Sequence, residues 1–188
     1  MKRSRGGPRV RRGRLQAARR FVFFLSLIAA STTLLTAGGQ SIDSRLKQLF
    51  PSATSFSPKE GDPPHFTAYS GGPAKTIAGY AFWTTEILPL ERGYGGPIAM
   101  LVGLDTAGRL TGVIMGEHHE PYGDFSIDMP KFAATFKNKD VRDPFKLGED
   151  VDAVSRATIT MSSAVRAIRN SSRRMARQFL TAPPPSSK

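Results

Sequence analysis

The sequence predicts an α+β domain whose sheet is mostly antiparallel and is flanked by helices. Strand-like segments follow one another between residues 66 and 119 of the 188-residue chain, with no helical pattern among them. Helical patterns stand on both sides of this region, one opening near residue 41 and one running from residue 161 to 179. Consecutive strands with helices kept to the two ends are typical of such a fold.

A short helix is predicted to begin in the polar stretch Ser41–Ser44, because Ser and Asp are favoured where helices start. It ends at Pro51, since proline cannot continue a helix. The next stretch, SFSPKEGDPPHF, is rich in proline and charge and indicates a loop. The apolar face of this helix consists of Leu46, Leu49 and Phe50.

Two strand-like runs follow that loop. FTAYS is short, whereas TIAGYAFWTTEIL is longer and rich in aromatic and β-branched residues. Gly79 lies inside the second run and predicts a bend or a bulge.

A hairpin is predicted next. PIAMLVGL and RLTGVIMGEHH are strand-like, and the turn Asp105–Gly108 joins them, which favours antiparallel pairing. The glycine-rich loop Glu91–Pro97 precedes this hairpin.

Helical and loop segments complete the domain. Residues 127–137 suggest a short helix, and DVRDPFKLGED returns through a loop. The last helix shows an apolar stripe with arginines on its other face. These arginines form either a solvated face or an electrostatic dock for an acidic redox partner or anionic lipid. The stripe is Met161, Ala164, Val165, Ile168, Met175 and Phe179, and the arginines are Arg166, Arg169, Arg173, Arg174 and Arg177.

Residues 1–40 have the character of a leader. The first 20 residues hold nine Lys or Arg and no acidic residue, and the apolar run 21–37 follows directly. This order predicts a secretory signal peptide or an N-terminal signal-anchor helix, with the basic flank in the cytoplasm. The predicted organisation is therefore a leader at 1–40, a folded domain at 41–181 and a disordered tail at 182–188.

Composition narrows the possible functions. Much of the net charge of +12 belongs to the leader, so the basic balance is a poor argument for nucleic acid. Residues 156–188 carry seven basic and no acidic side chains, which favours a local anion near the last helix. The absence of cysteine excludes thiolate metal sites, iron–sulfur clusters and c-type haem. Redox chemistry would therefore need an organic cofactor.

Hydroxyl side chains crowd the start of the last helix, in DAVSRATIT. Two interpretations stay open on spacing alone. Ser and Thr are ordinary helix caps. A helix N-terminus also binds phosphate readily, and Arg156 and Arg166 could add positive charge there.

The residues Asp152, Ser155, Ala157 and Thr158 resemble the D-x-x-S-x-A-T flavinylation motif of FMN-binding domains in RnfG, NqrC and NosR/NirI proteins. The resemblance implies that residues 41–181 form an FMN-binding domain. In that family the threonine after alanine forms a phosphoester with FMN, made from FAD by an ApbE-type transferase. Thr158 is thereby the implied attachment residue, with Asp152 and Ser155 in recognition or phosphate-environment roles.

A second similarity covers residues 93–123, where a glycine loop precedes a hairpin and an H-x-E-P-like loop follows it. The segments EHHEP, FPSAT and KEGDPP resemble the NosR/NirI branch in particular. The whole similarity spans most of residues 45–180. Two departures stand out. Arg156 occupies a position that is commonly glycine, and the cysteine-rich part of NosR/NirI proteins is missing.

The flavin ring needs apolar walls with a few polar groups. Tyr80, Phe82, Trp83 and Tyr94 are either such walls or core residues. The loop glycines Gly93, Gly95 and Gly96 could let the backbone approach the ring. The histidines of EHHEP favour a structural or flavin-edge role over a metal site, since adjacent strand residues point to opposite faces. No catalytic residue and no metal ligand is predicted. The predicted FMN-binding residues are Tyr94, Gly95, Gly96, His118, Glu120, Asp152, Ser155, Arg156, Ala157 and Thr158.

Taken together, the residues and the resemblance predict an exported electron carrier rather than an enzyme with its own substrate. It would hold FMN at Thr158 in the periplasm, released there or anchored to the inner membrane by residues 21–37. A flavin transferase and membrane redox proteins would be its partners, possible settings being anaerobic or nitrogen-oxide respiration. The alternatives are a sensory or regulatory module that holds flavin without turnover, and a structural domain with a decayed motif.

Overall fold

A computed structural model describes residues 41–72 and 74–180. Within them, five strands form one antiparallel sheet in which each strand pairs with its neighbour along the chain. With the helices on either side, this confirms the predicted α+β fold. The strands are β1 (Ser55–Phe56), β2 (Phe66–Ser70), β3 (Thr76–Trp83), β4 (Met100–Asp105) and β5 (Leu110–Met115).

Three helices accompany the sheet. Helix α1 (Ile42–Leu49) is capped by the Ser41 hydroxyl, which accepts the Ser44 amide at 3.3 Å. The short α2 (Pro130–Thr135) begins with proline in its first turn, and α3 (Thr158–Phe179) is the long final helix. The predicted helices therefore all exist, although the middle one is shorter than residues 127–137.

The sheet buries both of its faces because alternate residues of each strand point to opposite sides. Ala81 and Leu101 pack with α1 in the smaller apolar cluster. Phe82 and Val102 pack in the larger cluster, which includes the stripe of α3. Among the aromatic residues of β3, Phe82 is therefore a core residue. Tyr80 is also buried in the larger cluster.

Strand β3 ends earlier than the sequence pattern suggests. The run TIAGYAFWTTEIL continues its β-branched character, but the strand stops at Trp83 and a 3₁₀ turn, Thr84–Glu86, follows. The Thr84 hydroxyl donates to the Ile98 carbonyl at 2.9 Å and accepts the Met100 amide at 3.1 Å. The Thr84 side chain thus takes the place of a backbone hydrogen bond between strands. Residue composition alone does not predict this end of the strand.

Gly79 lies beside the predicted irregularity. The register between β2 and β3 shifts at Ala68 and Tyr69, which face Gly79 and Ile77. A Cβ at Gly79 would approach the Leu104 carbonyl oxygen to 2.3 Å. Only glycine lets β3 and β4 come this close.

The arginines of α3 mostly bind the protein itself. Arg166 pairs with Glu91 at 3.0 Å, and Arg174 donates to the Leu88 carbonyl at 3.1 Å. Arg173 donates to the carbonyls of Val141 and Asp143. These three residues therefore fasten the loops before β4 and after α2 to the helix, while Arg174 remains exposed to solvent.

Asp140 organises the loop after α2. Its carboxylate accepts the Arg142 amide and guanidinium at 2.6–2.9 Å. The hydrogen bond from the Arg142 side chain lowers the pKa of Asp140 to about 2.

Asp140 should therefore contribute stability that depends on pH. The pKa of Asp140 is lower in the folded protein than in the unfolded chain, so its ionised carboxylate stabilises the fold at pH values above the unfolded pKa. This contribution is lost as the pH falls through the folded pKa. We expect Asp140→Asn to lower the Tm by a few degrees at pH 7 and by progressively less between pH 4 and pH 2. Thermal unfolding followed by circular dichroism measures this. A difference in Tm between variant and parent that is the same at pH 4 and at pH 2 would contradict this expectation.

The predicted leader (1–40) and tail (182–188) lie outside the described residues. Among residues 41–72 and 74–180, no helix is both long and apolar enough to span a membrane.

Candidate functional site

The motif segment places Thr158 at the first position of α3. Ala157 is the N-cap residue, and no side chain of residues 41–72 and 74–180 caps the helix. The first helical hydrogen bond runs from the Met161 amide to the Ala157 carbonyl at 2.9 Å. The three preceding amides are left for an outside acceptor, and the partial positive charge of a 22-residue helix points the same way. The capping interpretation of the hydroxyl cluster is therefore wrong for this helix.

The two threonines of the first turn differ sharply. Thr158 is exposed, and its hydroxyl has no hydrogen-bond partner in the described part of the chain. Thr160 is only 2% exposed, and its hydroxyl donates to the Glu120 carboxylate. Thr158 is thus accessible for chemistry, whereas Thr160 is already engaged.

A cavity of about 300 Å³ opens beside Thr158. Its walls are mainly apolar although they lie at the surface, with Tyr94 exposed by 74%, Ile159 by 61% and Tyr122 by 47%. The complete lining is Tyr94, Tyr122, Arg156, Ala157, Thr158, Ile159 and Thr160. Of the predicted site residues, Tyr94, Arg156, Ala157 and Thr158 therefore lie together.

A second cavity of about 350 Å³ is lined in part by the earlier residues of the motif segment, Asp152–Val154. Phe125 and Met129 belong to its wall and are each 46% exposed. The Phe125 ring lies 5.4 Å from the Tyr122 ring, so the apolar surfaces of the two cavities adjoin. Five of the nine large hydrophobic residues that are exposed in the described regions belong to these two cavities, which makes this the main exposed apolar surface there.

Asp152 belongs to the second cavity and not to the first. It forms an exposed ion pair with Lys131 at 2.6 Å, and this hydrogen bond lowers the pKa of Asp152. Ser155 is exposed in the turn before Thr158. Both residues precede Thr158, the predicted attachment residue, and neither forms a hydrogen bond with its hydroxyl among the described residues.

Arg156 adopts the left-handed backbone conformation, with φ of 71°. This explains why glycine suits the position, since a residue with a Cβ pays a steric cost there. Its side chain is exposed and lines the cavity next to Thr158. The chain therefore combines a glycine-like backbone with a cation at the helix entrance.

We expect Arg156→Gly to raise stability relative to Arg156→Ala by about 0.5–1 kcal/mol, because only glycine relieves the left-handed strain. Both variants lose the guanidinium, so their difference isolates the backbone. Urea unfolding of the two purified domains measures it. An alanine variant as stable as the glycine variant would contradict the strain argument.

Glu120 is buried at 8% exposure and joins the glycine loop to α3. Its carboxylate accepts the Tyr94 amide at 3.0 Å, the Gly95 amide at 2.8 Å and the Thr160 hydroxyl. A Cβ at Gly95 would lie 1.9 Å from the His119 carbonyl oxygen. At Gly95 the backbone therefore comes close to the EHHEP loop of the protein itself. Gly96 has a φ of 127°, a conformation that favours glycine.

His118 is held within the protein. Its Nε2 lies 2.8 Å from an Asp128 carboxylate oxygen, and its Nδ1 accepts the Glu120 amide at 3.3 Å. It thus orders the loop that carries Tyr122. Within the described regions there is no cluster of three or more His, Cys, Asp or Glu side chains suited to a metal ion.

Sequence reasoning missed Tyr122 and Ile159. Both adjoin residues that were selected, since Tyr122 follows EHHEP by one residue and Ile159 follows Thr158. Their apolar character beside polar motif residues was the available signal.

Comparison with known proteins bears on this site. Residues 93–172 match the family model described as FMN-binding domain. Among solved structures, the chain is similar to Shewanella oneidensis NqrC, with 19% identity, 70% of each chain covered and a TM-score of 0.42. No curated protein matches the chain.

Proposed function

We propose that the protein is an exported electron carrier that holds FMN through a phosphoester at Thr158, a proposal supported by the match of residues 93–172 to the family model described as FMN-binding domain. One observation carries the attachment site. Thr158 lies inside the matched segment, beside an apolar cavity, at a helix N-terminus that no described side chain caps. Its hydroxyl is exposed and has no hydrogen-bond partner among residues 41–72 and 74–180.

The phosphate end of FMN fits this helix entrance. The free amides of the first turn and the helix dipole favour an anion, and the first turn of α3 contains no acidic residue. Arg156 adds a positive charge on the wall of the same cavity. The uncapped end of α3 therefore suits a phosphodiester.

The flavin ring fits the surroundings of Thr158. Planar amphipathic ligands bind in mostly apolar clefts of about 300–1,000 Å³ with a few polar groups. The cavity of about 300 Å³ has Tyr94, Tyr122 and Ile159 as apolar walls. When bound, the flavin supplies reversible electron transfer, while the chain holds the ring and tethers its phosphate.

Attachment requires a group transfer. The Thr158 oxygen forms a bond to the flavin-side phosphorus of FAD, the P–O–P bond breaks, and AMP leaves while the hydroxyl proton goes to a base. No described side chain hydrogen-bonds the Thr158 hydroxyl, so we infer that the flavin transferase supplies this base. The exposure of Thr158 is what such an external enzyme needs.

The proposed compartment rests on the predicted leader, and the proposed partners rest on the carrier role. A basic segment followed by the apolar run 21–37 would export the domain and leave it in the periplasm or anchored to the inner membrane. A covalent tether keeps the flavin at a high effective concentration there. Electrons would pass to and from membrane redox proteins, with nitrogen-oxide respiration as a candidate setting.

The test is the intact mass of the full chain co-expressed with a flavin transferase. We expect a gain of one FMN less one water, and a yellow colour that remains after denaturation. Peptide mapping should place the added mass on Thr158. Bare polypeptide from cells in which the transferase modifies a known substrate would refute the proposal. Reversible reduction and reoxidation of the yellow protein then tests the carrier role.

A further inference from the structure

We propose that Glu120 is the positioning residue that prepares Thr158 to accept the flavin phosphate. This inference rests on the proposed attachment of FMN. Glu120 would act without touching the cofactor, by fastening the loop that carries Tyr94 to the first turn of α3 and by keeping the Thr160 hydroxyl occupied.

The hydrogen bonds of Glu120 leave its carboxylate little capacity for a ligand. One oxygen accepts the Gly95 amide at 2.8 Å, and the other accepts the Tyr94 amide at 3.0 Å and the Thr160 hydroxyl. The residue is 8% exposed, and no Lys or Arg of residues 41–72 and 74–180 pairs with it. A buried carboxylate is tolerated when several donors satisfy it. Three donors from two distant segments do so here.

The glycine loop is shaped around this carboxylate. A Cβ at Gly93 would lie 2.2 Å from a Glu120 carboxylate oxygen. The loop therefore reaches the carboxylate with its backbone, and the Tyr94 side chain is left facing the cavity beside Thr158. The position of this wall relative to the acceptor hydroxyl depends on Glu120.

Glu120 also separates the two hydroxyls of the first turn. Thr160 is buried and its hydroxyl donates a hydrogen bond to the carboxylate, whereas Thr158 is exposed and its hydroxyl has no hydrogen-bond partner among the described residues. The carboxylate thus fixes both the geometry of the helix entrance and the identity of the available hydroxyl.

The experiment compares Glu120→Gln with Glu117→Gln in the full chain. Glu117 is an exposed carboxylate three residues away with no hydrogen bond or ion pair to the described residues, so it is a matched control. Purified, unmodified proteins are incubated with the transferase and FAD, and FMN incorporation per folded molecule is followed by mass. We expect Glu120→Gln to slow incorporation about tenfold or more, since the amide places an N–H against a donor. Glu117→Gln should match the parent.

A second readout needs no flavin. Hydrogen exchange of the Tyr94 and Gly95 amides in the unmodified proteins should accelerate in Glu120→Gln and stay unchanged in Glu117→Gln. Thr160→Val removes one donor and should slow incorporation less than Glu120→Gln does. It also tests the proposal if Glu120→Gln does not fold, because parental incorporation and exchange in Thr160→Val would then overturn it.

The outcomes separate the two proposals. A folded Glu120→Gln protein that incorporates FMN at the parental rate would overturn the positioning role, even if its Tm falls. Parental protein that never gains FMN would instead refute the attachment, whereas the hydrogen-exchange comparison would still report whether Glu120 holds the loop.

Discussion

Thr158→Ala should abolish covalent FMN while leaving the domain folded. The hydroxyl is exposed and has no partner in the described part of the molecule, so its removal breaks no internal hydrogen bond. Alanine is also a good helix former at the start of α3. We expect a change in Tm of no more than about 2 °C, corresponding to less than about 0.5 kcal/mol. Intact mass after co-expression with the transferase gives the flavin content, and circular dichroism gives the Tm.

Thr160→Ala is the matched comparison and should behave in the opposite way. It removes a buried hydroxyl that donates to Glu120, so we expect a loss of about 1–3 kcal/mol in stability. Flavin should still be found on Thr158 in the folded fraction. Flavin that survives in Thr158→Ala and disappears in Thr160→Ala would move the attachment to the second threonine. Thr158→Ser, which keeps the hydroxyl, should retain modification.

The sequence allowed the main elements of the fold to be predicted because their patterns are local. The apolar stripe beginning at Met161 identifies α3, and the turn Asp105–Gly108 identifies the β4–β5 hairpin. Strand β1 has only two residues, too few for any periodicity, and its segment was interpreted as loop. The early end of β3 depends on the Thr84 hydroxyl meeting a backbone 14 residues away.

The part of the site that was predicted is also the part whose residues are close together in the sequence. Thr158 and Arg156 lie within one short segment, so their proximity follows from the sequence. The contacts of Glu120 with Tyr94 and Thr160 span 26 and 40 residues and exist only in the folded chain. The sequence predicted Glu120 as a site residue but not its internal hydrogen bonds. A carboxylate in a polar loop is equally suited to ligand binding and to internal hydrogen bonding.

The glycine loop Glu91–Pro97 shows the same difference between a local sequence pattern and a contact made only in the folded chain. Glycine was expected to let the backbone approach the flavin ring, but a Cβ at Gly95 would first meet the His119 carbonyl oxygen at 1.9 Å. A carbonyl cannot move aside as a flexible side chain can, so the loop itself must shift. Gly95→Ala should therefore destabilise the unmodified domain by about 2 kcal/mol, a typical cost of overpacking. Urea unfolding of protein that has never carried flavin measures this.

The control variant is Gly72→Ala, where an added Cβ would meet nothing within 4 Å. We expect it to unfold within about 0.5 kcal/mol of the parent, as surface substitutions usually do. The displaced loop in Gly95→Ala would also carry Tyr94 away from Thr158 and release the Gly95 amide from Glu120. Its FMN incorporation should therefore fall together with its stability. Parental stability with lost incorporation would instead mean that Gly95 meets the cofactor, because a defect caused by packing against His119 must appear before any flavin is present.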